Sequence, residues 1–500
     1  MSVPHLQRLS NTLINERELS DSKFAQVEKA GCGIVHLGLG AFHRAHQARY
    51  TQRAIIEHDG AWRIIGVSLR SPTVASQLNP QNGLYTLIEQ DETGYQASIV
   101  NVIDRVLVAP ENPGLIVAHM SHETIKVITL TITEKGYYHD PANGKLQSEH
   151  PDILHDLENL DKPKTALGFI VSAIQNRIKT NTSPFTVLSC DNLPANGKLL
   201  KNLVLEFASL ISTELSDQIE STYCFPSSMV DRIVPAVTDD VYQRFSKLNN
   251  YEDKGLVVCE PYSNWVIEDN FCSGRPAWDQ VGANLVTDVH SYETMKLRLL
   301  NGSHSTIAYV GFLCGYETVS DAMQDNDITR LVKRLMKFEL MPGLTVDNSV
   351  DLDVYCEELL SRFRNETLHH QTYQIAMDGS QKLPQRLISP LVYQREHNGH
   401  IECICFVLAA WILYSTGQTF EQQTFEVQDP LATKLSKAYF DNKNNISAWV
   451  DCIFNINEIF NLSISADSIV KNQVIILLES MHRDKSVKTS LNRLLSEFQI

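Results

Sequence analysis

The stretch GIVHLGLGAFHRAH, residues 33–46, sets two glycines two positions apart behind a short apolar run. That spacing suits the turn that carries a peptide backbone up to a dinucleotide pyrophosphate. Gly38 permits the tight turn, Gly40 lets the backbone approach, and the start of the helix that follows favours negative charge. The third glycine of the G-x-G-x-x-G pattern is absent, and His43 stands in its place. A side chain of that size at the helix-to-strand contact must push the helix away or point outward. Arg44 is placed to reach a phosphate, and Phe42, His43 and Arg44 join the two glycines as candidate cofactor contacts. A purely structural turn also fits the glycine pair, and the surrounding context separates the two readings. His43 and His46 lack a carboxylate or cysteine partner nearby, so no metal is expected.

The context is that of a βαβ unit. GIVHL reads as a strand, FHRAHQARYTQRAIIE as a helix and WRIIGVSL as the next strand, which is the frame the fingerprint requires. A second strand that serves an unphosphorylated adenosine ribose should end in an acid. GVSLRSPTV offers Ser68, Arg70 and Ser71 instead, and an arginine there can pair with a 2′-phosphate. NAD is the expected cofactor, with NADP not excluded. TIKVITLTIT and FTVLSCDN supply further strands between amphipathic stretches, and such alternation implies a parallel sheet covered by helices. The nearly continuous apolar run IKVITLTI predicts a central strand buried on both faces. Near residue 290 the texture changes to longer helical patterns such as DITRLVKRLMKFEL and QVIILLESMHRDKSVKTSLNRLLSEF. The expected fold is α/β: a Rossmann-type domain with a parallel sheet over residues 1–288, then a mainly α-helical domain over 289–500.

With 500 residues, 43% hydrophobic and 20% charged, the chain can bury the cores of two domains. A net charge of −16 and the lack of a concentrated basic stretch argue against nucleic-acid binding. Ten scattered cysteines without a CxxC pair form neither a disulfide scaffold nor a zinc pattern. The first 30 residues lack the apolar core of a signal peptide, so a cytoplasmic location is expected. The run CICFVLAAWILY at 403–414 falls short of the roughly 20 residues that span a bilayer and predicts a buried helix, with no membrane partner.

Six blocks in order, VHLGLGAFHRAH, LTITEKGYY, LSCDNLPANG, MVDRIVP, WVIEDNF and KLRLLNGSHS, resemble the mannitol dehydrogenase family of long-chain polyol dehydrogenases. The resemblance implies an N-terminal Rossmann-type domain, a helical C-terminal domain and catalysis without metal. It also implies a catalytic set: Lys296, Asn301 five residues on and His304 three further. On an α-helix these would point at roughly 0°, 140° and 80°. Reducing a carbonyl needs a hydride donor, hydrogen-bond donors for the developing alkoxide, and a proton carrier. A lysine carries that proton when burial and nearby positive charge bring it toward neutrality. Lys296 takes this role by resemblance, Asn301 and Asn192 hold the oxyanion, His304 bonds a substrate hydroxyl or orients Lys296, and Asp231 adds a polar contact.

Within the family, TEKGYYHDPANGKL and HDLENLDKPKTALGFIV look most like fructuronate reductases, also called mannonate oxidoreductases. Mannitol 2-dehydrogenases come second, and tagaturonate reductases are a related alternative. A hexuronate carboxylate needs a cation, and Lys135 or Lys382 is the candidate, though either can pair with a neighbouring acid instead. The expected partner is therefore a small sugar acid or polyol, bound by a monomer or weak oligomer.

Overall fold

The computed structural model describes residues 6–16, 22–140, 143–346 and 350–498. The chain divides into two compact units, Met1–His290 and Ser291–Ile500.

The first unit is built on a five-stranded sheet of β1 (Cys32–Leu37), β2 (Arg63–Ser68), β3 (Ile103–Val108), β4 (Val127–Leu130) and β5 (Thr186–Ser189). Their order across the sheet is β3-β2-β1-β4-β5, and every neighbouring pair runs parallel. This is the arrangement of a doubly wound nucleotide-binding fold. The side-chain period of two explains how both faces are filled. Val35 and Leu37 of β1 share a core with Ile128 and Leu130 and with the helices Ala166–Thr180 and Asn196–Ile211. Ile34 and Val127 point the other way, into a core with Ala48, Ala54 and Ile55 of the helix Gln47–His58. All four residues of β4 are buried between β1 and β5, as the continuous apolar run requires. Two three-stranded sheets complete the unit: Ser228–Asp231, Asn264–Glu268 and Asn284–Val286 form one, and Tyr85–Asp91, Gly94–Val100 and Val257–Cys259 the other.

The second unit is helical. Its axis is the helix Glu402–Tyr414, whose residues Cys403–Tyr414 are all buried, packed on Ser303–Leu313 and Ser468–Asp484. Among the described residues no helix is long and apolar enough to cross a membrane. The N-terminus of this apolar helix leaves backbone N–H groups without intrahelical partners. The fully buried Glu339 accepts two of them, from Cys403 at 2.8 Å and Ile404 at 2.7 Å.

One expectation is corrected here. The segment carrying Lys296 and Asn301 is not α-helical: Lys296–Gly302 is a π-helical turn, as are Leu335–Leu340 and Pro384–Ile388. The first packs on both of the others. A turn closed by hydrogen bonds from i to i+5 holds more residues than an α-helical one, so the angle between Lys296 and Asn301 is smaller than the α-helical 140°. Gly302 makes the close packing possible, since a Cβ there would lie 3.1 Å from the Arg386 carbonyl oxygen and 3.3 Å from Leu340.

Candidate active site

In an open parallel sheet, loops at the carboxyl ends of the strands diverge where the strand order reverses and leave a crevice. The first unit has a cleft of about 780 Å³ at that place. Four strand ends line it: Gly38 and Leu39 after β1, Ser68–Ser71 after β2, Ala109 and Pro110 after β3, and Thr131–Thr133 with Gly136 after β4. Tyr138, Asp152, His155, Lys162 and Lys164 close another side.

Of the fingerprint residues, Gly38 and Arg70 line this cleft. Gly38 has φ +89°, and a Cβ there would lie 2.2 Å from the Thr131 carbonyl oxygen. Only glycine fits, because the β1 turn and the end of β4 nearly touch. Gly40 is different: it has φ −112°, and a Cβ would meet nothing nearer than the Gly38 oxygen at 3.8 Å. The protein itself does not demand a glycine there. Arg70 is exposed at the end of β2, and no acid stands beside it among Ser68–Ser71.

At the turn, one of the two alternatives for His43 falls and the expectation for Arg44 is overturned. His43 does not point outward; it is fully buried and stacks on His36 of β1 with ring centroids 3.5 Å apart. A flat ring lies in the contact that glycine usually fills. His36 is fixed in turn by Thr129 Oγ1 at 2.7 Å and Thr131 Oγ1 at 2.9 Å, and burial holds its pKa down at about 3. Burial likewise drives His43 well below the usual imidazole range, with His36, Arg44 and His46 adding to it. Arg44 does not reach toward a phosphate. Its guanidinium is buried, with Nη1 donating to Gly255 O at 2.5 Å and Nε to Gly40 O at 3.3 Å, because the loop at Gly255 presents a carbonyl to it and the strand Tyr85–Asp91 presents the face of Tyr85. Phe42 stacks on His46 at 5.1 Å. Gly40, Phe42, His43 and Arg44 therefore shape the turn from outside the cleft lining.

Several positioning groups carry no signature in the sequence. Asp191, just past β5, accepts from Ile132 N at 3.1 Å, Thr133 N at 2.9 Å and the Tyr137 hydroxyl at 2.8 Å. Burial raises its pKa, and those three donors oppose the rise. The bonds hold Thr133 at φ +64°, ψ +163°, a region that costs a β-branched residue on the order of 1–3 kcal/mol. The cleft wall after β4 is thus held in tension by one carboxylate. The buried Asn196 ties the same segment to the neighbouring sheet, donating to Asp191 O and Ser228 O and accepting from Ser228 N. An acid or amide directly after a predicted strand is the signal that points to such groups. Asn192 is exposed beyond β5, Lys135 is exposed in the turn Glu134–Tyr137, and Asp231 is buried at the end of its strand. Next to Asp231, Arg232 is a structural staple that donates to Ala45 O and Glu260 O and pairs with Glu89.

In the second unit, Lys296, Asn301 and His304 are all buried. Burial drives His304 well below the ordinary imidazole range, and the nearby basic groups His370, Arg362, Arg386 and Lys296 push the same way. His304 is thus neutral near pH 7, and its Nε2 has no hydrogen-bond partner among the described residues. It packs on His370 at 5.4 Å and Phe363 at 4.7 Å. His370 is lowered to about 4 by burial and by Lys382. Lys382 in turn is lowered to about 8, first by burial and then by Arg386, with Asp378 and Asp429 opposing; its Nζ donates to Ile375 O at 3.2 Å and Met377 O at 2.5 Å. Arg386 is pulled to about 10 by burial and donates through Nη1 to Asn301 O at 3.4 Å and Ser305 Oγ at 3.0 Å. The structure thus brings Lys296, Asn301, His304 and Lys382 into one neighbourhood with His370, Arg362 and Arg386, which sequence reasoning did not single out; its lysines and arginines carry the positive charge, while both imidazoles are neutral. The HH doublet at 369–370 and the arginine in KLPQR gave no spacing that would have marked them.

A neutral imidazole, amide donors and a buried ammonium in a cationic surround are suited to holding a developing alkoxide and moving its proton. Comparison with known proteins agrees. Residues 32–280 match the mannitol dehydrogenase Rossmann domain and residues 288–482 the mannitol dehydrogenase C-terminal domain. The D-mannonate oxidoreductase of Escherichia coli (strain K12) is 41% identical over 81% of this chain and 84% of its own length. A mannitol 2-dehydrogenase of Aspergillus terreus is 37% identical over 91% of this chain and 92% of its own. The Pseudomonas fluorescens mannitol 2-dehydrogenase, solved as a ternary complex with NAD and D-mannitol, superposes with a TM-score of 0.86 at 32% identity, covering 98% of this chain and 100% of that one. This protein belongs to the mannitol dehydrogenase family of oxidoreductases, enzymes acting on secondary alcohols.

Proposed function

We propose that the protein is an NAD-dependent fructuronate reductase, interconverting fructuronate and mannonate. The observation that carries this reading is the set of cationic side chains near His304: Lys296, Arg362, Arg386 and Lys382 lie in one unit, a field that favours an anionic sugar over a neutral one. The switch-point cleft, with Gly38 at the turn and Ser68–Ser71 at the ribose end, suits a nicotinamide dinucleotide, and Arg70 leaves room for NADP. NADH, when bound, supplies the hydride. Lys296 gives its proton to the carbonyl oxygen as the alcohol forms and takes one back in the oxidation. The Asn301 and Asn192 amides donate to that oxygen without neutralising the lysine. His304, through its unpartnered Nε2, takes a substrate hydroxyl, and Asp231 adds a polar contact.

Mannitol 2-dehydrogenase is the second reading. It is favoured by Lys382, whose ammonium is engaged by two backbone carbonyls, and by Lys135, which stands exposed. Steady-state reduction of fructuronate and fructose with NADH separates the two. The proposal predicts the higher kcat/KM for fructuronate, and a much higher value for fructose overturns it.

A further inference from the structure

Arg386 stands out because its guanidinium is a charge without a counter-charge. It is partly buried, on the π-helical turn Pro384–Ile388, and no carboxylate pairs with it among the described residues. Its two contacts are Asn301 O and Ser305 Oγ, both made through Nη1. A guanidinium has five N–H donors in a planar fork. Two bonds through Nη1 leave the edge formed by Nε and Nη2, which is the edge that matches the two oxygens of a carboxylate. Withdrawing such a cation from water without an anion is costly, and a bound carboxylate removes that cost. A neutral polyol does not. The location also fits, because Nη1 is bonded to the backbone of Asn301, the amide assigned to the substrate oxygen. In fructuronate three hydroxyl-bearing carbons separate the ketone from the carboxylate, so a substrate whose ketone is at Asn301 carries its acid group into the same neighbourhood.

We propose that Arg386 is the residue that binds the substrate carboxylate, through Nε and Nη2, while Nη1 keeps Asn301 and Ser305 in place; this rests on the hexuronate reading above. Lys382 is the less suitable anchor, since two of its three donors are taken by carbonyls.

The test compares wild type, Arg386→Gln and Arg386→Lys, with thermal unfolding and NADH affinity measured in each as the controls for folding of the two units. For Arg386→Gln the expected result is a KM for fructuronate raised about 100-fold with kcat falling much less, and inhibition by mannonate weakened in parallel, as loss of a charge-assisted fork requires. Arg386→Lys should recover part of the KM, because it keeps the charge and loses the fork. A fall confined to kcat, with KM and mannonate inhibition as in wild type, overturns the proposal and leaves Arg386 as a positioning residue for Asn301. Wild-type enzyme that does not reduce fructuronate overturns the hexuronate reading, and the carboxylate role with it.

Discussion

Substituting Gly38 and Gly40 by alanine tests the cofactor turn, because the structure assigns the two glycines opposite reasons for being there. Gly38 lies at φ +89°, where an L-residue is strained by about 1–2 kcal/mol. Its new Cβ would also sit 2.2 Å from Thr131 O and 2.9 Å from the carbonyl carbon, so the ends of β1 and β4 must part by about 1 Å. Strain and separation together should cost on the order of 3 kcal/mol. That lowers the Tm of a unit this size by roughly 5 °C. The same shift moves the backbone that faces the coenzyme, and losing two or three hydrogen bonds to it at about 1 kcal/mol each raises the Kd for NADH about 100-fold. Gly40→Ala meets no atom nearer than 3.8 Å and should leave Tm unchanged. If backbone approach is its purpose, the Kd for NADH should still rise about tenfold. Thermal unfolding and titration of NADH fluorescence read both quantities. A Gly38→Ala protein with wild-type Tm and wild-type Kd refutes the steric argument, and one that loses stability while binding NADH normally removes the cleft as the coenzyme site.

Two further outcomes follow from buried carboxylates. Glu339 titrates at about 7 in the folded chain against 4.5 as a free side chain, chiefly through burial. The folded state therefore holds the extra proton between those values, so stability falls as pH rises across the window, by about 3 kcal/mol in all. Urea unfolding at pH 5 and pH 8 should show this decline in wild type and a flatter profile in Glu339→Gln; equal slopes contradict it. Asp191→Asn replaces an acceptor by an amide N–H facing backbone donors. It should release Thr133 from its strained conformation and weaken NADH binding about tenfold by isothermal titration, whereas unchanged affinity would remove Asp191 from the account.

The α/β class, the buried β4 run and the apolar helix at 402–414 were legible because each is written in local periodicity and run length. The family could be read from six short blocks. The π-helical turn was not legible. KLRLLNGSH has an ordinary helical pattern, and the close packing against two other segments at Gly302 that accompanies the turn is a tertiary contact that no local pattern shows. Arg44 was misassigned because its partner, Gly255, lies 211 positions away, and no local pattern reveals which way a long cationic side chain turns. Asp191 and Asn196 were passed over for Asn192 for a related reason: apart from local bonds, such as the one between the two of them, their bonds run to residues 32 to 59 positions distant. Polar groups that position a site are defined by tertiary contacts, while the groups that perform chemistry recur in blocks.

The most direct test of the whole account is Lys296→Ala, assayed for both NADH affinity and ketone reduction. Lys296 belongs to the helical unit and the cleft to the Rossmann unit, so the Kd for NADH should stay within about twofold of wild type while kcat falls by roughly 10²–10⁴, the range of a general acid–base contribution. Turnover that survives the substitution at its wild-type rate would contradict the assignment of the proton to this lysine.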